Sequence, residues 1–160
     1  MFIKNIFNKN PKTISPDDTI KTAVRRFIDE HINGFVVVNN QNEVVGILSL
    51  QDIAATTIPS QFKKNASMAA AMYTKGFFTK EVKKIQELPI SKIMRKKFET
   101  VNLEDNIMAV TADFLQNDLY IVPVIDQKNK LIGIITRSEI KHALAHTMDL
   151  PSRYNQGEGQ

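Results

Sequence analysis

The 160-residue sequence has no cysteine. That excludes disulfide stapling and thiolate-held metals, and it fits a reducing compartment. No run approaches the roughly 20 apolar residues that a bilayer-spanning helix needs. The opening Met1-Phe2-Ile3-Lys4 has no long apolar core of the secretory kind. The expectation is a cytoplasmic protein with no membrane span. Metalloprotease, nucleophile-elbow and phosphate-loop motifs are missing too. Ser49 has no base near it in sequence, and Asp17-Asp18 reads as a helix start rather than a carboxylate dyad. His142 and His146 share a helix face by spacing, but no third ligand accompanies them. His31 reads as a turn residue between helix and strand. The chain is therefore expected to be no enzyme, to hold no metal and to require no cofactor.

What is present is unevenly spread. The net charge is +4, but residues 60–97 hold ten Lys or Arg against two Glu, so the other 122 residues sum to −4. A basic excess confined to the middle argues against a surface that coats nucleic acid. Lys80, Lys83 and Lys84 read as a solvated helix face. Lys92, Arg95, Lys96 and Lys97 form a candidate phosphate-attracting rim, with Arg95 the best placed of them.

An internal repeat organises the rest. Sliding the chain by 87 residues superposes 3–55 on 90–142 without a gap: Ile3 falls on Ile90, Thr13 on Thr100, Asp18 on Asp105, Phe27 on Phe114, and Gly46 on Gly133. Each copy reads as β-α-β-β-α. A short extended piece ends at Thr13-Ile14 or Thr100-Val101. The first helix follows, carried by Ile20, Ala23, Val24 and Phe27 or by Ile107, Val110 and Phe114 at helical spacing, with Ser15-Pro16-Asp17-Asp18 as a start signal. Next come Phe35-Val36-Val37-Val38 and Val122-Pro123-Val124-Ile125 as buried strands, then a polar turn and a second strand. Pro123 has no N–H and belongs at a strand's beginning or edge. A second helix starts near Ser49 or Thr136. A unit of about 55 residues is marginal alone, so the expected fold is α+β: tandem units packed with pseudo-twofold symmetry, their small sheets flanked by helices and clefts along the join.

The expected divisions are a first unit over 1–58, a helical connector packed on the module over 59–89, a second unit over 90–147 and a disordered tail over 148–160. Within the connector, residues 66–75 read as one helix, stopped by Gly76. A second helix is expected from a Thr79 cap to Leu88, ended by Pro89, with Phe77 and Phe78 packed over the join.

Two segments carry the chemistry: Gly46-Ile47-Leu48-Ser49-Leu50-Gln51-Asp52 and Gly133-Ile134-Ile135-Thr136-Arg137-Ser138-Glu139. Each sets a hydroxyl at a strand-to-helix junction and an acid three residues on. Free N–H groups and the positive end of the helix dipole make such a junction an anion site, and the acid can accept from sugar hydroxyls. The same spacing is also an ordinary capping box that needs no ligand. Spacing alone leaves both open.

The duplicated pattern resembles the cystathionine-beta-synthase (CBS) domain pair, or Bateman module. The resemblance runs from about residue 3 to about residue 147, carried by Ile93-Met94, Asp17 to Ile20, Val122-Pro123-Val124-Ile125-Asp126 and the two glycine-to-acid segments. It implies a stand-alone regulatory module that binds an adenosine-containing ligand (AMP, ADP, ATP, S-adenosylmethionine or cyclic di-AMP) between the repeats. Ser49 and Thr136 would contact phosphate, joined by Arg137, and Asp52 and Glu139 would hold ribose. Thr13, Ile14, Thr100 and Val101 would line the base pocket, and Val36 and Pro123 would close it. Leu50 stands where the second copy has Arg137, and Glu139 replaces the more usual aspartate, so unequal clefts are expected. The resemblance further implies a homodimer and a regulated partner protein. Two other classes stand beside this reading: a constitutive interaction module whose Ser49 and Thr136 only cap helices, and a weak nucleic-acid binder using the basic middle.

Overall fold

The computed structural model describes residues 1–71, 76–117 and 120–154. In the first repeat, β1 (Thr13–Ile14) pairs in parallel with β2 (Gly34–Val38), which pairs antiparallel with β3 (Val44–Ser49). Helix α1 (Ile20–Glu30) lies between β1 and β2 in sequence and buries Ile20, Ala23 and Phe27. Its cap is Thr19, whose side chain accepts from Thr22 N at 3.1 Å. The expected start signal at Ser15 to Asp18 instead forms a separate turn, in which Asp17 N donates to Ser15 Oγ at 3.2 Å. Helix α2 (Leu50–Ala55) follows β3 directly.

After the connector helices α3 (Ala66–Ala71) and α4 (Phe77–Ile85), the second repeat supplies α5 (Ile107–Asn117), β4 (Ile121–Ile125), β5 (Leu131–Thr136) and α6 (Arg137–Thr147). The sheet here is a β4-β5 pair, joined on its outer side only by a bridge from Val101 to Val124. Pro123 gives the reason. In the first repeat Val36 N donates outward to Lys12 O at 3.2 Å. Pro123 holds the matching place and has no N–H to give, so the outer strand shrinks to a bridge. Pro123 thus lies mid-strand rather than at its beginning, but its missing donor faces the sheet's edge.

Each repeat's core is completed by the segment leading into the other. A 3-10 turn over Ile3–Asn5 places Ile3 and Ile6 among Val101, Val110, Val122, Val124 and Ile135 of the second repeat. The matching turn over Ile90–Lys92 places Ile90 among Ile14, Ile20, Phe27, Phe35 and Leu48 of the first. The hydrogen bonds repeat with the same offset: Ile3 N to Asp105 O at 2.9 Å and Ile90 N to Asp18 O at 2.8 Å. Each first helix likewise hands an N-terminal N–H to a lead-in carbonyl, Ile20 N to Leu88 O at 3.0 Å and Ile107 N to Met1 O at 3.1 Å.

Both strand glycines mark where these lead-ins cross. A methyl on Gly46 would stand 2.6 Å from Met94 Sδ and 2.9 Å from Arg95 O; one on Gly133 would collide with the Phe7 ring and with Asn8 O. Phe7 and Met94 are themselves repeat equivalents. A third core along the seam joins Val36 and Ile47 to Ile121, Leu131 and Ile134. The hairpin turns also meet there, with Leu131 N donating to Asn42 O at 3.1 Å.

Helix α4 is capped at Gly76, whose φ of 85° suits glycine, three residues ahead of the expected Thr79 cap. It does not sit over the join. Phe78, Val82 and Ile85 face Ile20, Val24, Leu50 and Ile53 of the first repeat across an apolar groove of about 390 Å³. Phe78 stays 67% exposed. The expected helix over 66–75 is seen as α3, and residues 72–75 lie outside the described residues. So do residues 155–160 of the expected disordered tail. Its earlier part is docked: the Tyr154 hydroxyl donates to Ile6 O at 2.7 Å and its ring packs on the second core.

Gly133→Ala is expected to cost about 1–3 kcal/mol through this overpacking, read as a lower urea midpoint at unchanged slope. Ile90→Ala, in a residue with no exposed surface, should cost about 2–5 kcal/mol in the same measurement.

Candidate functional site

At both junctions a strand runs into a helix without a loop. The hinge residues Ser49 (φ −117°) and Thr136 (φ −125°) are extended and serve as caps. Ser49 Oγ donates to Asp52 Oδ2 at 2.8 Å and accepts from Asp52 N at 3.2 Å, while Ser49 N donates to the same carboxylate at 2.9 Å. Thr136 Oγ1 donates to Glu139 Oε2 and accepts from Ser138 N at 3.1 Å; Thr136 N donates to Glu139 Oε2 at 2.8 Å. Both hydroxyl–acid pairs are therefore capping boxes.

The second oxygen of each acid meets an arginine. Asp52 Oδ1 is 2.7 Å from Arg95 Nε, and Glu139 Oε1 is 3.0 Å from Arg153 Nη1. Arg153 also donates to Ser138 Oγ at 2.6 Å. These arginines are not repeat equivalents, since the position matching Arg95 is Asn8 and the one matching Arg153 is Ala66. Unrelated pieces of chain supply the same charge to the two acids.

Along the join lies a cleft of about 520 Å³, walled by Asn10, Lys12 and His31 of the first repeat and by Tyr120, Thr136, Arg137 and Ser138 of the second. A smaller recess of about 370 Å³ adjoins it, lined by Ser49, Leu50 and Gln51 and sharing Asn33, Tyr120 and Arg137 with the cleft. Both volumes fall in the usual range for small-molecule sites. Tyr120 stands between them. Gln51 Nε2 donates to its hydroxyl at 2.7 Å, and the Arg137 guanidinium lies 4.5 Å from its ring centroid, within cation–π range. The larger cleft offers Arg137, Lys12 (itself 3.4 Å from Glu30), a helix-cap hydroxyl and an aromatic edge, a set able to hold an anionic group beside a flat ring.

Of the residues singled out by sequence, Thr136 and Arg137 line the cleft and Ser49 lines the recess. Asp52, Glu139 and Arg95 stand just behind, joined in the caps and ion pairs above. Ile14 and Val101 lie in the cores of the first and second repeats, and Val36 in the seam core. Pro123 is buried within β4. Thr13 O accepts from Arg26 Nη1 at 2.7 Å, and Thr100 is half-buried beside Val101. Arg95 is spent on Asp52 rather than standing in a rim, and Lys80, Lys83 and Lys84 border a separate shallow depression on α4.

Sequence reasoning missed Tyr120, Lys12, Asn10, Asn33, Gln51 and Arg153. The repeat held a signal for two of them: Tyr120 and Asn33 are 87 residues apart, each just before its copy's central strand, so pseudo-symmetry brings them to the same axis. Nothing comparable marks Arg153. His31 does end α1 in a left-handed turn at φ 53°, and it also reaches the cleft. His142 and His146 stand edge-on to the Tyr154 ring, with centroids at 6.2 and 6.4 Å. Burial raises the Tyr154 hydroxyl pKa above its ordinary value, more than Arg153 lowers it. Among the described residues no group of three or more His, Asp or Glu could hold a metal ion.

The family model for the CBS domain matches residues 3–56 and again 90–146. Homoserine O-acetyltransferase of Methanococcus vannielii is 25% identical over 142 residues, which make up 89% of this chain but only 24% of that protein. The chain thus spans about a quarter of that relative's length. Among solved structures, the CBS domain pair of protein MJ0100 in complex with 5′-methylthioadenosine and S-adenosyl-L-methionine superposes with a TM-score of 0.67 at 22% identity, covering 92% of this chain and 98% of that one. CBSX2 in complex with AMP superposes with a TM-score of 0.69 at 18% identity, covering 92% and 98%.

Asp52→Ala leaves the Ser49 cap but removes the carboxylate half of the α2 capping box and the ion-pair partner of Arg95. It is expected to lower stability by about 1–3 kcal/mol without any ligand present, measured by thermal unfolding of the purified chain.

Proposed function

The chain belongs to the CBS-domain family, of which it carries two copies, and from that premise we propose that it senses an adenosine-containing nucleotide in the cleft between them. The carrying observation is the convergence of Lys12, Tyr120, Thr136 and Arg137 on one cleft built from both repeats. In this reading phosphate lies against Lys12, Arg137 and the N-terminus of α6, where charge and dipole favour an anion. The adenine lies toward Tyr120 and Ile121. AMP, ADP, ATP, S-adenosylmethionine and cyclic di-AMP all carry the adenosine this cleft would recognise, and the ligands of the MJ0100 pair and CBSX2 support the class.

A ligand touching both repeats favours one relative orientation of the halves and so changes the outer surface. That change is read by a regulated partner protein. Met108 and Leu115 of α5, Leu144 of α6 and Met148 just after it are exposed, and we assign these apolar side chains to pairing with a second copy. No helix among the described residues is long and apolar enough to cross a membrane, and a cytoplasmic setting belongs to the same proposal. We assign the ligand to the larger cleft rather than the recess because Lys12 and Thr136 line the cleft alone, whereas Arg137 lines both.

One observation favours a second reading, a constitutive interaction module. Both acids are already satisfied by their caps and arginines. Thermal shift with AMP, ATP, S-adenosylmethionine and cyclic di-AMP separates the two. A ligand at 100 times its Kd adds about 2.7 kcal/mol, a rise of roughly 5–10 °C for a chain this size. Indifference to all four ligands leaves the constitutive module standing. Arg137→Ala should weaken nucleotide binding about tenfold or more by calorimetry, with little change in unliganded stability.

A further inference from the structure

We propose that residues 151–154 form a latch over the second repeat's acid, so that nucleotide contact with Glu139 and docking of this segment exclude one another. The inference rests on the nucleotide reading above and names the step by which occupancy leaves the cleft.

The two acids differ in how their arginine is held. Arg95 is fixed by the sheet: its N donates to Ile47 O at 2.8 Å and its O accepts from Ile47 N at 3.0 Å. The backbone that carries its ion pair with Asp52 is thus part of the sheet ladder. Arg153 follows the last helix, and among the described residues no sheet bridge includes its segment. Side chains dock it: Arg153 on Glu139 and Ser138, and the Tyr154 hydroxyl on Ile6 O.

The acids also differ in access. The Glu139 side chain is 1% exposed and that of Asp52 is 12% exposed. Arg153 spans the gap between the covered acid and the cleft, because Ser138, which it also binds, is part of the cleft wall. A ribose hydroxyl reaching for Glu139 meets the guanidinium first. Once Arg153 leaves, Glu139 becomes a buried carboxylate short of a partner, a state that a ligand's hydroxyl relieves. The docked segment thus lowers apparent affinity by the fraction of molecules in which it is closed. By reciprocity, ligand releases the segment.

The test measures AMP binding by calorimetry for wild type, Arg153→Ala and Tyr154→Phe, with hydrogen exchange of residues 151–154 followed with and without saturating AMP. Tyr154→Phe keeps the Glu139 ion pair and loses one anchoring hydrogen bond, so it loosens the latch even if Arg153→Ala fails to fold. The expected results are AMP binding about fivefold tighter in Tyr154→Phe, and faster exchange of residues 151–154 in wild type when AMP is bound. Binding seen only in the variants also supports the latch. AMP binding with unchanged exchange, or equal affinity in Tyr154→Phe and wild type, overturns the latch and leaves the nucleotide reading intact. No binding by any of the three proteins overturns both.

Discussion

The structure depends on the exchange of lead-in segments between the repeats. Ile3 and Ile90 have no exposed surface, and each lies in the core of the copy it does not begin. A unit of this size buries too little apolar surface to hold itself together, so the exchange makes two marginal cores interdependent. It also explains the two strand glycines, because the lead-ins cross at Gly46 and Gly133 closer than any Cβ permits. Because the crossing fixes where each sheet ends, it fixes the position of the strand-to-helix junctions and of the cleft between them.

Those junctions carry two demands on the same atoms. A helix that starts straight out of a strand must satisfy its first N–H groups locally, and Ser49 with Asp52 and Thr136 with Glu139 do so. The hydroxyl and acid chemistry suited to a phosphorylated sugar is therefore in use before any ligand arrives. A ligand at such a site has to exchange hydrogen bonds rather than fill vacant ones, and its gain is the difference between two satisfied states. Small changes nearby, such as which arginine holds the acid and how firmly, then have leverage on binding.

Duplication provided the frame and divergence made its halves unequal. Pro123 removes one donor and reduces an outer strand to a bridge, whereas Val36 keeps the matching bond to Lys12. The connector faces α1 and α2 across a groove through Phe78, Val82 and Ile85, while on α5 Leu115 is 83% exposed. Arg137 against Leu50 makes the second junction the cationic one. The two halves thus differ, among the described residues, in the charge at their junctions and in what faces their helices.

The tandem β-α-β-β-α order, the strand-to-helix junctions and the hydroxyl–acid pairs were legible in the sequence because each rests on local periodicity or on neighbours three residues apart. The family match over 3–56 and 90–146 agrees with that order. Other features depend on residues far apart in the chain and leave no local pattern. Tyr120 meets Gln51, Arg95 meets Asp52, Arg153 meets Glu139, and Phe78 lies against the first repeat rather than over the join. Alternation and helical spacing report which face of an element is apolar, not which distant segment will cover it. That choice is made by packing, which settles which charges finish side by side.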